Sequence, residues 1–480
     1  MARVILVTPD YHCGVVESAG RWPHIGFVYI AGELRKYGHE VKIYDAMAKN
    51  HNLDQILANI INYDPDVVAT TAYTATVPAA IELLRRVKEW KNQAFTVMGG
   101  VHPTFCYNEI LTESPFIDVI VRYEGEFTFP ELIAAWEKGE DFKKIDGIAF
   151  RRKGRVTATT ARPFITDLDS LNPAWDLLDW NDYTFYIQPG SRLAIISTSR
   201  GCLHNCAFCS QQKFWNRTWR ARSAESVAAE IELLVQKYGV EVFFISDEYP
   251  TADRERWEAI LDRLIQKDLG AMFLIETRVD DIVRDKDIID KYRQAGIIHI
   301  YVGIEATSQD TLDTFKKGFG ANDSKRALDI IHSAGIVSET SFILGTPSDT
   351  KDSINETLAL AQAYNPDFAH FLLLAPWPYA DMYDELAPHI CTRDYAKYNL
   401  VEPVIKPGKM TTDELFSEVL NCYKKFYFRK IPEWVKLKND FKRRYAIQSM
   451  KAIMDNSFLK DHVLKLGTMP KTVEKLLKSD

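Results

Sequence analysis

The chain has 480 residues, 46% hydrophobic and 26% charged, enough for about three domains with large cores and unlike a disordered or collagenous chain. No apolar run approaches the ~18 residues of a spanning helix, and no charged–apolar–small leader opens the chain, so neither a membrane span nor export is expected. The formal charge of −7 does not advertise nucleic-acid binding by the surface as a whole.

In chain order, residues 1–143 alternate short apolar runs with amphipathic stretches. The runs Arg3–Thr8, Glu40–Asp45, Asp66–Thr71, Ala94–Gly99 and Ile117–Arg122 are near-continuously hydrophobic, as strands covered on both faces must be. Between them, Val77–Lys91 carries Ile81, Leu84 and Val87 at helical spacing. Five strands with intervening helices predict a doubly wound, Rossmann-like parallel sheet, whose ligands bind beyond the strands' carboxyl ends. Residues 144–190 break the rhythm with a hairpin, Gly147–Arg152 and Arg155–Ala158, and then a linker containing Pro, Asp and Trp. Over 191–395 the alternation resumes in Leu193–Thr198, Val240–Ser246, Ala271–Thr277, Ile297–Gly303, Val337–Leu344 and Phe368–Leu374. Six strands with helical crossovers predict a partial (β/α)6 barrel. Residues 396–480 read as a helical cap. Within it, 424–480 hold 15 Lys/Arg against 6 Asp/Glu, or +9, leaving −16 for the rest. That excess suits either a solvated cap or docking to an acidic partner.

Seven cysteines are too few and too odd in number for a disulfide scaffold. Cys13, Cys106, Cys391 and Cys422 are scattered, whereas Cys202, Cys206 and Cys209 share one loop directly after the first barrel strand. Reduced thiols gathered in a loop suggest a metal site in a cytoplasmic protein. Zinc would ask for a fourth ligand, and His204 inside the motif is the nearby choice. A [4Fe–4S] cluster on three thiolates instead leaves one iron open for a small molecule.

Cys-x3-Cys-x2-Cys, with Phe208 before its last cysteine, resembles the radical S-adenosylmethionine (SAM) signature. The resemblance implies that the open iron chelates SAM, whose reductive cleavage yields a hydrogen-abstracting deoxyadenosyl radical. A reductant such as ferredoxin or flavodoxin is implied with it. Similar matches stand at later strand ends: Asp247 and Glu248, Arg278, Glu305, and Gly345. By resemblance these line SAM.

Gly99-Gly100-Val101-His102-Pro103-Thr104 and Arg122-Tyr123-Glu124-Gly125-Glu126 resemble the cobalamin-binding domain that precedes many radical SAM barrels. Thr71, Thr74 and Thr76 follow the third strand and are implied to bond the cofactor's amides or tail. Tyr123 stands where that family often has glycine. Asp10-Tyr-His12-Cys-Gly14 is similar to a cobalt-ligating Asp-x-His-x-x-Gly motif with its glycine one residue early; His12 is either a ligand or a loop histidine. Lys213–Arg222 interleaves basic and aromatic residues, a texture that either stacks on single-stranded nucleic acid or closes a barrel mouth. The acidic net charge favours closure. Trp215, Trp377 and Tyr379 are the expected substrate-pocket walls.

The order of segments is similar to the anaerobic magnesium-protoporphyrin IX monomethyl ester cyclase group, which also holds the glutamine C-methyltransferase of methyl-coenzyme M reductase. The resemblance implies three cofactors: a [4Fe–4S] cluster, SAM and cobalamin as methylcobalamin. The expected reaction is methylation of an unactivated carbon, on a glutamine of a protein or peptide substrate. Oxidative ring closure is the alternative, and a non-catalytic corrinoid sensor is disfavoured because sensing needs no radical.

Overall fold

The computed structural model describes residues 1–11, 19–459 and 462. The chain divides into two compact units, one built mainly from Trp22–Asp182 with the opening strand and Asp394–Ala396, the other from Tyr183–Arg393 and the segment after Lys397. His12, Cys13 and Gly14 lie outside the described residues.

In the first unit the strands are Arg3–Val7 (β1), Glu40–Tyr44 (β2), Val67–Thr71 (β3), Phe95–Gly99 (β4), Val119–Val121 (β5), Ile148–Arg152 (β6) and Arg155–Ala158 (β7). They form one sheet in the order β2-β1-β3-β4-β5-β6-β7. The first five run parallel; β6 is antiparallel to β5 and pairs with β7 as a hairpin. Alternation along β1 explains the layers. Val4 and Leu6 pack with Phe27, Leu34 and Leu132 on one face, while Ile5 and Val7 meet Ile56, Leu83 and Leu111 on the other. The strand order reverses between β2-β1 and β3, which is the ligand-binding switch point of such sheets. The hairpin expected within the 144–190 linker instead widens this sheet. Arg151 fixes it by donating to the carbonyls of Leu111 and Pro115, each at 2.8 Å.

The second unit holds six parallel strands in sequence order: Arg192–Ile196 (β8), Val240–Ile245 (β9), Met272–Arg278 (β10), Ile297–Gly303 (β11), Val337–Leu344 (β12) and Phe368–Leu373 (β13). All five junctions are parallel pairs. Short antiparallel pieces, Thr184–Phe185 and Gly20–Arg21, extend the β8 side. Crossover helices begin where the sequence supplies caps: Ser223 accepts from the Ser226 N–H to start Ala224–Tyr238. The open edge of β13 is covered by the helix Thr412–Val435. Its Tyr423 hydroxyl accepts from Phe371 N–H at 3.1 Å, and Tyr427 bonds Ala369 N–H and C=O at 3.3 and 3.0 Å. An exposed strand edge is thereby satisfied.

Part of the basic excess is structural. Lys442, on the helix Asp440–Asn456, pairs with Asp367 at 2.7 Å and donates to Ile336 C=O at 3.0 Å. Among the described residues, no helix is long and apolar enough to cross a membrane.

Candidate functional site

The cysteine loop leaves β8 through Ser199–Gly201, which pairs antiparallel with Trp219–Ala221. Gly201 has φ +97°, and a Cβ there would lie 2.1 Å from Thr218 O, so only glycine makes this entry turn. Asp247 and Glu248, expected to contact SAM, are both committed to this loop. Asp247 accepts from Thr198 N–H (2.7 Å), Thr198 Oγ1 (2.5 Å) and Ser199 Oγ (2.6 Å). Glu248 accepts from Gly201 N–H (3.2 Å) and Trp215 Nε1 (2.8 Å). Burial raises both carboxyl pKa values against these opposing bonds. Trp215 is correspondingly a buried strut of the loop rather than an open pocket wall.

Further straps come from the opposite strand ends. Ala207, between two of the cysteines, donates to Phe315 C=O at 3.0 Å and accepts from Met382 N–H at 3.2 Å. Gln212 donates to Cys206 C=O at 3.2 Å and to Asp381 at 2.9 Å. Lys213 also pairs with Asp381, at 3.0 Å, and Trp219 donates to Tyr249 C=O at 2.9 Å. The basic–aromatic stretch is thus engaged with neighbouring loops of its own unit.

Cys206 is buried, and Cys202 and Cys209 are half-buried. Burial is the main reason the Cys209 thiol is pushed up to about 12; the nearby Cys206 and Cys202 act in the same direction, and Lys317 opposes them. Among the described residues, no three Cys, His, Asp or Glu side chains converge to hold a single ion, and His204 packs against Tyr249 with ring centroids 5.0 Å apart. A cluster makes a different demand, since each thiolate binds its own iron. Three thiols on one strapped loop, beside the cations Arg278 and Lys317, are a donor set that fits a [4Fe–4S] cluster with one open iron.

Lys317 was not visible as a site residue in the sequence, where it is one lysine of a surface-like Lys-Lys-Gly. It is 5% exposed and its ammonium lies 3.4 Å from Glu305 Oε1 and 5.9 Å from the Phe208 ring centroid. Glu305 has φ +66°, a left-handed backbone that a side-chain-bearing residue adopts at some cost, often at ligand sites. Gly303 makes room for the pair, because a Cβ there would come within 2.8 Å of Glu305 Oε1. Arg278 donates to Asp280 at 2.9 Å and to Lys317 C=O at 2.5 Å. Phe208 meets Phe315 edge-on at 5.1 Å. These groups offer a carboxylate, an ammonium and a guanidinium within one barrel mouth, a set that fits the amine and carboxylate of a zwitterion such as SAM.

Gly345, expected to line SAM, directly follows β12. Its φ is +84°, its N–H is held by Asp349 at 2.8 Å, and its Cβ position faces Leu415 and Leu373 at 3.0 and 3.1 Å. Close packing and a left-handed turn require the glycine. Trp377 is half-buried and Tyr379 is 7% exposed; both sit in the turn after β13, closed by Ala380 N–H donating to Trp377 C=O at 2.9 Å.

In the first unit, the expected cobalamin-contacting residues do collect at the carboxyl ends of β3, β4 and β5, but most are bonded to the protein itself. His102 is fully buried, with Nδ1 3.1 Å from Thr74 Oγ1, and burial lowers its pKa to about 4. Thr104 donates to Gly100 C=O at 2.8 Å and accepts from Tyr123 N–H at 3.0 Å. Thr76 caps Tyr73, and Glu124 accepts from Ile165 N–H at 2.7 Å. Glu126 is buried. Gly100 has φ +104°, and a Cβ there would strike Ala72 O at 2.5 Å, so the close approach of these two loops requires glycine. Gly99 and the half-buried Thr71 leave a more open approach; the Gly99 Cβ position meets only Val121 O, at 3.6 Å. This small-residue crevice at the carboxyl ends of β3 and β4 fits the entry of a cofactor tail. Tyr123 adopts φ +63°, the conformation glycine prefers, with its ring edge-on to Phe105 and Phe164.

The doubly wound unit, the six-stranded partial barrel and its three-thiol loop define a cobalamin-dependent radical SAM enzyme, and the chain belongs to that family. Residues 11–133 match the B12 binding domain and 196–361 the radical SAM superfamily. The chain is 38% identical to the anaerobic magnesium-protoporphyrin IX monomethyl ester cyclase of Rubrivivax gelatinosus, over 95% of this chain and 83% of that one. It is 30% identical to an uncharacterized methyltransferase of Pyrococcus horikoshii, over 89% and 93% of the two chains. Its fold is similar to that of the cobalamin-dependent SAM radical enzyme OxsB, solved with aqua-cobalamin and SAM (TM-score 0.73, 17% identity, 99% of this chain and 74% of that one). It is also similar to the methyltransferase TsrM of Kitasatospora setae, solved with cobalamin and a [4Fe–4S] cluster (TM-score 0.70, 15% identity, 89% of each chain). The cofactors are therefore a [4Fe–4S] cluster, SAM and cobalamin, and turnover requires a reductant.

Proposed function

We propose that this enzyme is a C-methyltransferase acting on an unactivated carbon of a protein side chain, in its most specific form a glutamine of methyl-coenzyme M reductase. When bound, the cluster with SAM supplies a carbon-hydrogen-abstracting radical and the cobalamin carries the methyl group. The protein's contribution is orientation and exclusion of water. Cys202, Cys206 and Cys209 hold the cluster, Asp247 and Glu248 fix their loop, and Glu305, Lys317 and Arg278 orient SAM. Gly99 and Thr71 border the cobalamin tail. A ferredoxin or flavodoxin supplies electrons, and the basic C-terminal segment meets an acidic substrate surface.

The observation that carries this reading is the polarity of the barrel interior. Glu276, Tyr301 and Glu339 occupy one register level on β10, β11 and β12, which suits a polar side chain better than a flat apolar macrocycle. The 38% identity to the cyclase across 95% of the chain supports a second reading, anaerobic oxidative ring closure of a porphyrin ester. The discriminating experiment offers the reconstituted holoenzyme a glutamine-containing methyl-coenzyme M reductase peptide or magnesium-protoporphyrin monomethyl ester. Peptide-stimulated deoxyadenosine formation is expected. Stimulation by the porphyrin alone, with ring closure, would overturn the methyltransferase reading.

A further inference from the structure

The basic–aromatic stretch after the cysteine loop does more than strap it. Its rings turn inward: Phe214 and Trp215 are buried, and Trp219 is half-buried. Its first two cations stay in solvent, with the Lys213 and Arg217 side chains 43% and 53% exposed. Both face Asp381, Lys213 at 3.0 Å and Arg217 at 3.9 Å. The exposed Lys316, on the loop beyond β11, acts on the same carboxylate. Three cations around one carboxylate leave a surplus of two positive charges. The exposed acids of the flanking short helices, Asp310, Asp313, Asp384 and Glu385, form no ion pair with these three cations; Asp313 accepts instead from Gln309 at 2.8 Å. The surface thus offers charge without a stacking platform, which suits an acidic protein rather than single-stranded nucleic acid.

The patch is tied directly to the thiol loop. Buried Gln212 donates to Cys206 C=O and to Asp381, and accepts at Oε1 from Arg217 Nε at 3.2 Å. Arg217 N–H also donates to Gln212 C=O at 2.9 Å. Ala207, next to Cys206, is bonded on one side to Phe315, the neighbour of Lys316, and on the other to Met382, the neighbour of Asp381. Each charged residue of the patch is therefore a residue or a hydrogen bond away from a segment held against Cys206–Ala207. Asn216 and Arg217 are consecutive left-handed residues, at φ +49° and +53°. Side-chain-bearing residues adopt that backbone at a cost and most often at functional sites. Here the turn brings Arg217 back over Gln212 while leaving its side chain in solvent.

We propose that Lys213, Arg217 and Lys316 form the docking face for the enzyme's reductant, an acidic one-electron carrier protein. The inference rests on the proposed reading that a protein carrier supplies the electrons, and it is independent of which reaction follows. In each encounter one electron leaves the reduced carrier and enters the oxidised cluster; the carrier is oxidised by one electron, the cluster is reduced by one, and no bond is made or broken in this protein. Exposed cations of this kind steer an oppositely charged partner and raise its association rate, an effect that salt screens. Docking here sets the carrier against the segment that holds Cys206.

Two measurements on the reconstituted holoenzyme test this, with a flavodoxin and a ferredoxin as probes and iron and cobalt content matched between variants. Calorimetric titration with the oxidised probe should give a Kd that rises steeply from low to high salt. Arg217→Glu/Lys316→Glu should weaken binding on the order of tenfold at low salt and flatten the salt dependence. Arg217→Gln/Lys316→Gln, which removes charge without reversing it, should show a smaller loss in the same direction. Stopped-flow reduction of the cluster by the reduced probe should slow in parallel, whereas reduction by the small cationic methyl viologen radical should keep its wild-type rate. Unchanged probe binding in both variants would overturn the docking face. Equal slowing with methyl viologen would also overturn it, because the loop itself would then be damaged. A wild type that binds neither probe yet accepts electrons from methyl viologen would remove the protein-carrier reading itself, and the docking face with it.

Discussion

Asp247 shows how one side chain sets the geometry of the whole cysteine loop. Its three accepted bonds join the end of β8 to the end of β9 immediately before Cys202. Asp247→Ala strands several buried donors, each costing ~1–3 kcal/mol, so about 2–4 kcal/mol of stability should be lost. Iron per chain after reconstitution should fall although every cysteine remains; chemical denaturation and iron assay check both. Glu276 makes a pH-dependent prediction. It opens onto the barrel interior, reachable by water yet enclosed by protein, and burial followed by the charges of Glu339, Glu248 and Glu305 raises its pKa to about 7. The folded state then holds a proton that the unfolded chain releases near 4.5. Its penalty is absent below that value, grows as pH rises towards 7 and is constant above. Glu276→Gln should therefore raise Tm more at pH 8.5 than at pH 5, by thermal melts of the apoprotein.

The strands were legible in the sequence because two-sided burial forces continuous apolar runs, and all eleven expected strands of the two sheets recur within a residue or two of their expected ends. The cysteine loop was legible because its spacing is local. What was not legible depends on distant partners. The hairpin at Ile148–Ala158 joins the sheet through pairing with β5, which no local pattern encodes. Lys317 becomes a site residue only because Gly303 and the left-handed Glu305 meet it. Asp247 and Glu248 carried a motif, but their partners Thr198, Ser199 and Trp215 lie far back in the sequence. The C-terminal helices illustrate the same dependence. Burial opposes ionisation of Asp367, yet His332 and Lys442 hold its pKa well below the carboxylate range. Lys442→Ala leaves that charge without its cation and should cost about 3–5 kcal/mol. Lys442→Ala/Asp367→Asn should recover part of it, measured by urea unfolding.

At the scale of the whole molecule, one chain supplies a doubly wound B12-binding unit and a radical SAM partial barrel. The division of labour follows from topology: ligands collect beyond the carboxyl ends of parallel strands in both architectures. The C-methyltransferase proposed above would transfer a methyl group from one SAM to carbon and spend a second SAM on radical generation. The most direct test is a product balance with methyl-labelled SAM, the reconstituted holoenzyme, a reductant and the glutamine peptide. Equal amounts of labelled peptide, S-adenosylhomocysteine and deoxyadenosine are predicted, with deoxyadenosine abolished in the Cys202→Ala/Cys206→Ala/Cys209→Ala variant. Deoxyadenosine formed without S-adenosylhomocysteine and without label in the peptide would contradict the methyltransferase reading.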